Sequence, residues 1–176
     1  MDVAQLGEED PLWQNIIGNF LKKVKMPYDQ NLEIIGMDTG PLQEPIYDVK
    51  ISASSREQTK WLEQSLAGTS SNWKIVVGYD PFFVCAEPHT LQTRKFYESL
   101  QRIFAKYAVN AYISTGSSCG YFRQDNSMLY IGNPSPVDHT SSDGFLLHIV
   151  NPLEMESLLI NLEGKVVERS VVHHHD

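Results

Sequence analysis

The chain has 176 residues, room for one domain and little more. Hydrophobic residues at 41% and aromatics at 10% can build a core, and charged residues at 20% are too few for a disordered chain. The 14 Lys and Arg stand against 22 Asp and Glu, for a net charge of −8. Lys22 to Lys25, KKVK, is the only basic cluster and reads as the solvated end of a helix, so no nucleic-acid groove is expected.

Taken in chain order, residues 1–10 are acidic and read as a flexible N-terminus. Leu12, Trp13, Ile16, Ile17, Phe20, Leu21 and Val24 fall at helical spacing, which predicts an amphipathic helix ending near Met26-Pro27. Leu32 to Met37 reads as a buried strand stopped by Asp38-Thr39-Gly40-Pro41, and the stretch from there to about Ala53 as irregular. Ser55-Arg56-Glu57-Gln58 has the capping-box pattern, opening a helix that stops at Gly68. A strand at Lys74–Val77, a long helix from Thr90 to Tyr107 and a strand at Val109–Ile113 follow.

Strand, helix, strand is a βαβ unit, so the two strands are expected to be parallel. Ligands gather beyond the C-terminal ends of such strands, here Gly78–Pro81 and Ser114–Gly120, and the two loops are expected to face one crevice. YFRQDN after Gly120 reads as a loop. Met128–Ile131, Phe145–Val150, Ser157–Leu162 and Val166–Val172 then read as strands, the last two joined by a hairpin at Glu163-Gly164. The expected organisation is one domain over 11–172 and a His-rich tail at 173–176.

No apolar leader is present, LWQNIIGNF is too short and too polar to span a bilayer, and no N-x-S/T sequon occurs, so the chain as written is expected to be intracellular and soluble, without a membrane partner. Two cysteines, Cys85 and Cys119, make no disulfide framework, and whether they pair is left open.

The histidines are the first candidates for chemistry. His148 alternates with Phe145, Leu147 and Ile149 and reads as a packed or solvent-face strand residue, while His139 reads as part of a polar turn. His173 to His175 read as a frayed end without preorganised geometry. His89, two residues after Glu87, lies close to the expected crevice. A thiolate phosphatase needs C-x5-R, and Cys119 has Arg123 only four positions on. GSSCG, Gly116 to Gly120, matches the G-x-S-x-G string of a nucleophile elbow but no helix pattern follows it. The candidate crevice is therefore Tyr79, Asp80, Glu87, His89, Ser117, Ser118 and Cys119.

Five segments in order carry a family resemblance: Ile34 to Thr39, Gln58-Thr59-Lys60-Trp61-Leu62, Trp73 to Pro81, Tyr107 to Tyr112 and Tyr130-Ile131-Gly132. Together they resemble the C-terminal half of the purple acid phosphatases, in the calcineurin-like metallophosphoesterase superfamily. That resemblance implies an α/β fold: half of an α/β/β/α sandwich, with a parallel βαβ core followed by antiparallel C-terminal strands. It also implies what is missing. The family's G-H-x-P histidine, a metal ligand, is Tyr79 here, and the G-H-x-H histidines fall on Gly116 and Ser118, or on Ser117 and Cys119 if shifted by one. The family's E-H-G reads Glu87-Pro88-His89, and the earlier ligand motifs are absent, Gly18-Asn19-Phe20 lying inside a helix pattern without the histidine.

A glycine has no donor and a serine is a weak one, so no cofactor is expected and the chain reads as an inactive homologue with a binding or assembly role. The alternative is an active phosphomonoester hydrolase with an Fe, Zn or Mn dinuclear centre rebuilt from Tyr79, Asp80, His89 and Cys119. Half a sandwich leaves a sheet face open, so a homodimer or a partner covering that face is expected.

Overall fold

The computed structural model describes residues 18–39, 53–83, 91–117, 120–125, 128–134 and 144–174. Its first element, β1 (Phe20–Lys25), runs antiparallel to β2 (Asn31–Gly36), with Lys23 opposite Glu33. This corrects the helix expected through Val24, whose first part lies outside the described residues. Tyr28 and Asp29 both have positive φ, 62° and 57°, and the Met26 N–H donates to the Gln30 carbonyl, so the chain reverses there as a hairpin. Cross-strand pairing with β2 thus overrode a helical spacing that β1 satisfied by coincidence. The KKVK run is then part of an edge strand, with Lys23 3.8 Å from the buried Glu33 carboxylate, and not the end of a helix.

Helix α1 (Ala53–Ala67) opens two residues before Ser55, which places that residue in the first turn instead of at the cap. It leads into β3 (Trp73–Gly78), helix α2 (Leu91–Lys106) and β4 (Ala111–Ser117). Strands β2, β3 and β4 are mutually parallel, as the βαβ reading requires. Two boundaries differ from the sequence reading. β4 continues to Ser117, with a register shift between Ser114 and Ser117, so part of the expected second loop is strand. YFRQD is not a loop but β5 (Tyr121–Asp125), paired antiparallel with β6 (Met128–Pro134), which itself lies parallel to β4. The large sheet therefore runs β1-β2-β3-β4-β6-β5.

Strand alternation sorts the side chains into two cores. Ile35, Val76, Tyr112 and Tyr130 point to the face covered by α1 and α2, where they meet Leu62, Leu66, Leu100 and Phe104. Leu32, Trp73, Ile75, Ala111, Leu129 and Ile131 point to the opposite face. There they pack against Met155 and Val172 of a second, three-stranded antiparallel sheet. Its strands are β7 (Gly144–Val150), β8 (Glu154–Asn161) and β9 (Val166–His173), joined in the order β7-β8-β9. Gly164, at φ 76°, supplies the left-handed residue of the β8–β9 turn that Glu163-Gly164 predicts. Each large side chain buried in these cores contributes roughly 1.5–3 kcal/mol.

The chain's end is more ordered than its sequence implies. His173 closes β9, and the ring of His174 packs edge-on against Trp73 at 5.5 Å, with Nε2 3.0 Å from the Asn72 carbonyl oxygen. These two residues are strand and anchor, not a frayed tail; His175 lies outside the described residues. Among the described residues no helix is long and apolar enough to cross a membrane.

Candidate functional site

The parallel strands end together at Met37–Thr39, Gly78–Asp80 and Thr115–Ser117, around a cleft of about 310 Å3 lined by Phe20, Asp38, Thr39, Gly78, Tyr79 and Thr115. Of the candidate crevice residues that are described, Tyr79 lines this cleft, while Asp80 and Ser117 are buried and outside its lining. Thr39, also in the lining, is a residue that the sequence reading did not single out. Thr39, buried, accepts two hydrogen bonds on Oγ1, from the Tyr79 N–H at 3.2 Å and the Asp80 N–H at 3.1 Å. It holds the loop after β3 from below. Asn19 acts similarly on β2, its side-chain oxygen accepting the Asp38 N–H at 2.9 Å. Thr39 is not ionisable and the sequence reading passes over it, and Asn19, which that reading sets aside as part of a helix pattern, instead lies just before strand β1.

The next residues of the loop are fixed by aromatic packing. The Phe82 ring lies 4.6 Å from Tyr97, 4.6 Å from Tyr112 and 5.1 Å from Tyr130, and Phe83 meets Tyr130 and Tyr121 edge-on. The Arg123 guanidinium sits 4.1 Å from the centre of the Phe83 ring. The Tyr112 hydroxyl donates to the Asp80 carbonyl at 2.7 Å. Burial, then the neighbouring Tyr97 and Asp80, hold the Tyr112 phenol well above its ordinary pKa. Tyr97 is raised too, first by burial and then by Asp80, and burial lifts Tyr130 to about 12. These phenols are neutral hydrogen-bonding and packing groups at neutral pH, with no role as bases.

Tyr79 itself turns away from that cluster and is 63% exposed. One face of its ring covers Gly116: a Cβ added there would stand 2.7–2.8 Å from three of the ring carbons. The Gly116 N–H donates to the Tyr79 carbonyl at 2.8 Å, so backbone and ring both tie the two loops together. Asp80 and Ser117 are buried at the same strand ends, Ser117 with its oxygen close over Gly132. Glu87, His89, Ser118 and Cys119 lie outside the described residues, as do Cys85 and His139.

Among the described residues the arrangement does not fit a dinuclear metal centre. At Tyr79, where the resemblance places a histidine, a phenol ring is packed on the backbone of Gly116, which stands for a second histidine in the ungapped alignment and for the family's own glycine in the shifted one. Among the described residues no group of three or more His, Cys, Asp or Glu side chains could hold a metal ion. His148, on β7, belongs to the second sheet and bonds Ser157 Oγ through Nδ1 at 2.9 Å. It is packed, one of the two placements its alternation allowed.

No protein-family model matches the sequence, and no curated protein matches it. Solved structures do. The structure of GAP50, the anchor in the inner membrane complex of Plasmodium, superposes with a TM-score of 0.66 at 19% identity, over 90% of this chain and 54% of that one. A putative 5'-nucleotidase from Staphylococcus aureus aligns at 12% identity and TM-score 0.45, over 89% of this chain and 29% of that one. A hypothetical protein from Thermus thermophilus aligns at 10% identity and TM-score 0.43, over 88% and 62%. The chain thus spans about half the length of the GAP50 chain and shares its mixed α/β fold over that half.

Proposed function

We propose that this is a purple acid phosphatase-like protein that lacks the dinuclear metal centre and works by binding or assembly instead of hydrolysis. The observation that carries this reading is the contact between Tyr79, where the resemblance calls for a histidine ligand, and Gly116, where it calls for a second one in the ungapped alignment. A substituted ligand alone leaves a vacancy that a neighbour can fill. Here the Tyr79 ring lies on the bare backbone of Gly116, so a side chain returned at position 116 would first have to push the ring aside. Without metal, hydrolysis lacks its usual source of hydroxide at neutral pH, and among the described residues the charged group lining the cleft is Asp38, which repels a phosphate. The fold shared with GAP50, described as an anchor, is in keeping with an assembly role and leaves the partner open.

The test is hydrolysis of p-nitrophenyl phosphate by the purified chain, dialysed and then supplied with Fe, Zn or Mn. No metal-dependent turnover is expected, and less than about one equivalent of metal is retained at micromolar affinity. Metal-dependent hydrolysis that disappears on chelation would overturn the reading.

A further inference from the structure

Each sheet has two edge strands, and three of the four carry the features that keep edges from pairing with other chains. β1 has Lys22, Lys23 and Lys25, and β5 is five residues long with Arg123 and Asp125. β9 has Glu168 and Arg169, and its register with β8 shifts between Leu159 and Ile160. The fourth is β7, GFLLHIV, seven residues in unbroken register with β8. It has no proline, no bulge and no acidic or basic residue other than His148, whose ring is already bonded to Ser157. Among the described residues β7 hydrogen-bonds to β8 alone. Its outward side chains are apolar and open: Phe145, Leu147 and Ile149 are 55%, 41% and 45% exposed.

We propose that β7 is a dimerisation strand: two copies of this chain join antiparallel along Gly144–Val150 about a two-fold axis, merging their three-stranded sheets into one of six strands. The strand suits its own copy for three reasons. A register centred on Leu147 sets Leu147 against its symmetry mate and Phe145 against Ile149 of the second copy, so the outward apolar rows meet without a break. The strand brings no formal charge to the junction, so self-pairing avoids the repulsion that a chain of net charge −8 meets elsewhere on its surface. On the same outer face the Arg169 guanidinium pairs with Glu156, leaving that pair neutral. An isologous contact of this kind consumes both copies of β7, and the guarded β9 edge ends the sheet on each side, so growth stops at two chains. The proposal is independent of whether the crevice is catalytic.

The test is sedimentation equilibrium of the intact chain from about 1 to 100 µM, the range in which a micromolar dimer dissociates. A mass near twice 20.0 kDa is expected. Leu147→Lys places two ammonium groups against each other at the axis and should weaken the dimer by roughly 100-fold, with an unchanged far-UV spectrum. A second readout does not depend on that variant's folding: with Cys85 and Cys119 replaced by serine, Leu147→Cys should form an intermolecular disulfide on mild oxidation. Directly opposite residues lie about 4.5–5.5 Å apart at Cα, within disulfide reach. A monomer at the highest concentration overturns the proposal. So does a dimer that forms no cross-link at position 147, or a β7 edge occupied by a different protein.

Discussion

One face of the Tyr79 ring lies on Gly116, and the Gly116 N–H donates to the Tyr79 carbonyl at 2.8 Å. Tyr79 directly follows β3 and Gly116 lies in β4, its parallel neighbour, so the contact ties the ends of the two strands together. It makes the two positions energetically dependent. Gly116→Ala forces the ring outward, and because Tyr79 is largely exposed the ring can move at modest cost, about 1 kcal/mol. In a Tyr79→Ala background the same substitution should cost close to nothing. A double-mutant cycle by urea unfolding measures the difference, and equal costs in both backgrounds would show that ring and glycine are uncoupled.

Thr39 supports the same loop from within. Replacing it by valine keeps the shape and removes the acceptor of two amide N–H groups at a buried site. The expected loss is roughly 1–3 kcal/mol, with faster hydrogen exchange at the Tyr79 and Asp80 amides. Thr39→Ser, which keeps the oxygen, should retain most of both. If valine and serine behave alike, the methyl group matters and the hydrogen bonds do not.

The contrast between these residues shows where the sequence could be read and where it could not. The parallel strands and α2 were legible because their apolar periodicities are long and lead to faces that are in fact buried, Leu100, Ile103 and Phe104 among them. β1 was not, because Leu21 and Val24 are exposed on an edge strand whose spacing happens to suit a helix. β5 carries charge on an edge for the same reason and looked like a loop. At the site, the loss of histidines could be seen residue by residue. That Tyr79 lands on Gly116 could not, since the contact spans 37 positions and depends on the register of β3 against β4.

The end of α2 contains a removable strain. Ala108 has φ 52°, a left-handed conformation, where the Val109 N–H reaches back to the Phe104 carbonyl at 2.9 Å to close the helix. Glycine adopts that conformation without the clash of a Cβ. Ala108→Gly should therefore stabilise the protein by about 0.5–1 kcal/mol, the relief of strain exceeding the added freedom of the unfolded chain. A shift of the urea midpoint upward at constant slope is the expected result, and a downward shift would mean that the alanine methyl is worth more in packing than its strain costs.

His148 gives the fold a pH dependence of definite sign. Burial between the two sheets is what lowers its pKa, with no charged neighbour contributing, and Nδ1 is bonded to the fully buried Ser157 hydroxyl. The folded chain therefore takes up this proton at lower pH than the unfolded chain, whose histidine titrates near about 6.5. Above that value the ring is neutral in both states and stability does not depend on it. As pH falls through about 6.5 toward the depressed folded value, the unfolded state binds more protons and stability is lost. His148→Gln, which can keep a hydrogen bond to Ser157 but cannot titrate, should flatten the decline in unfolding free energy between about pH 7.5 and 5.5. The difference between variant and parent isolates the imidazole, since the substitution removes that titrating group alone. An unchanged slope in the variant would place the pH dependence elsewhere in the molecule.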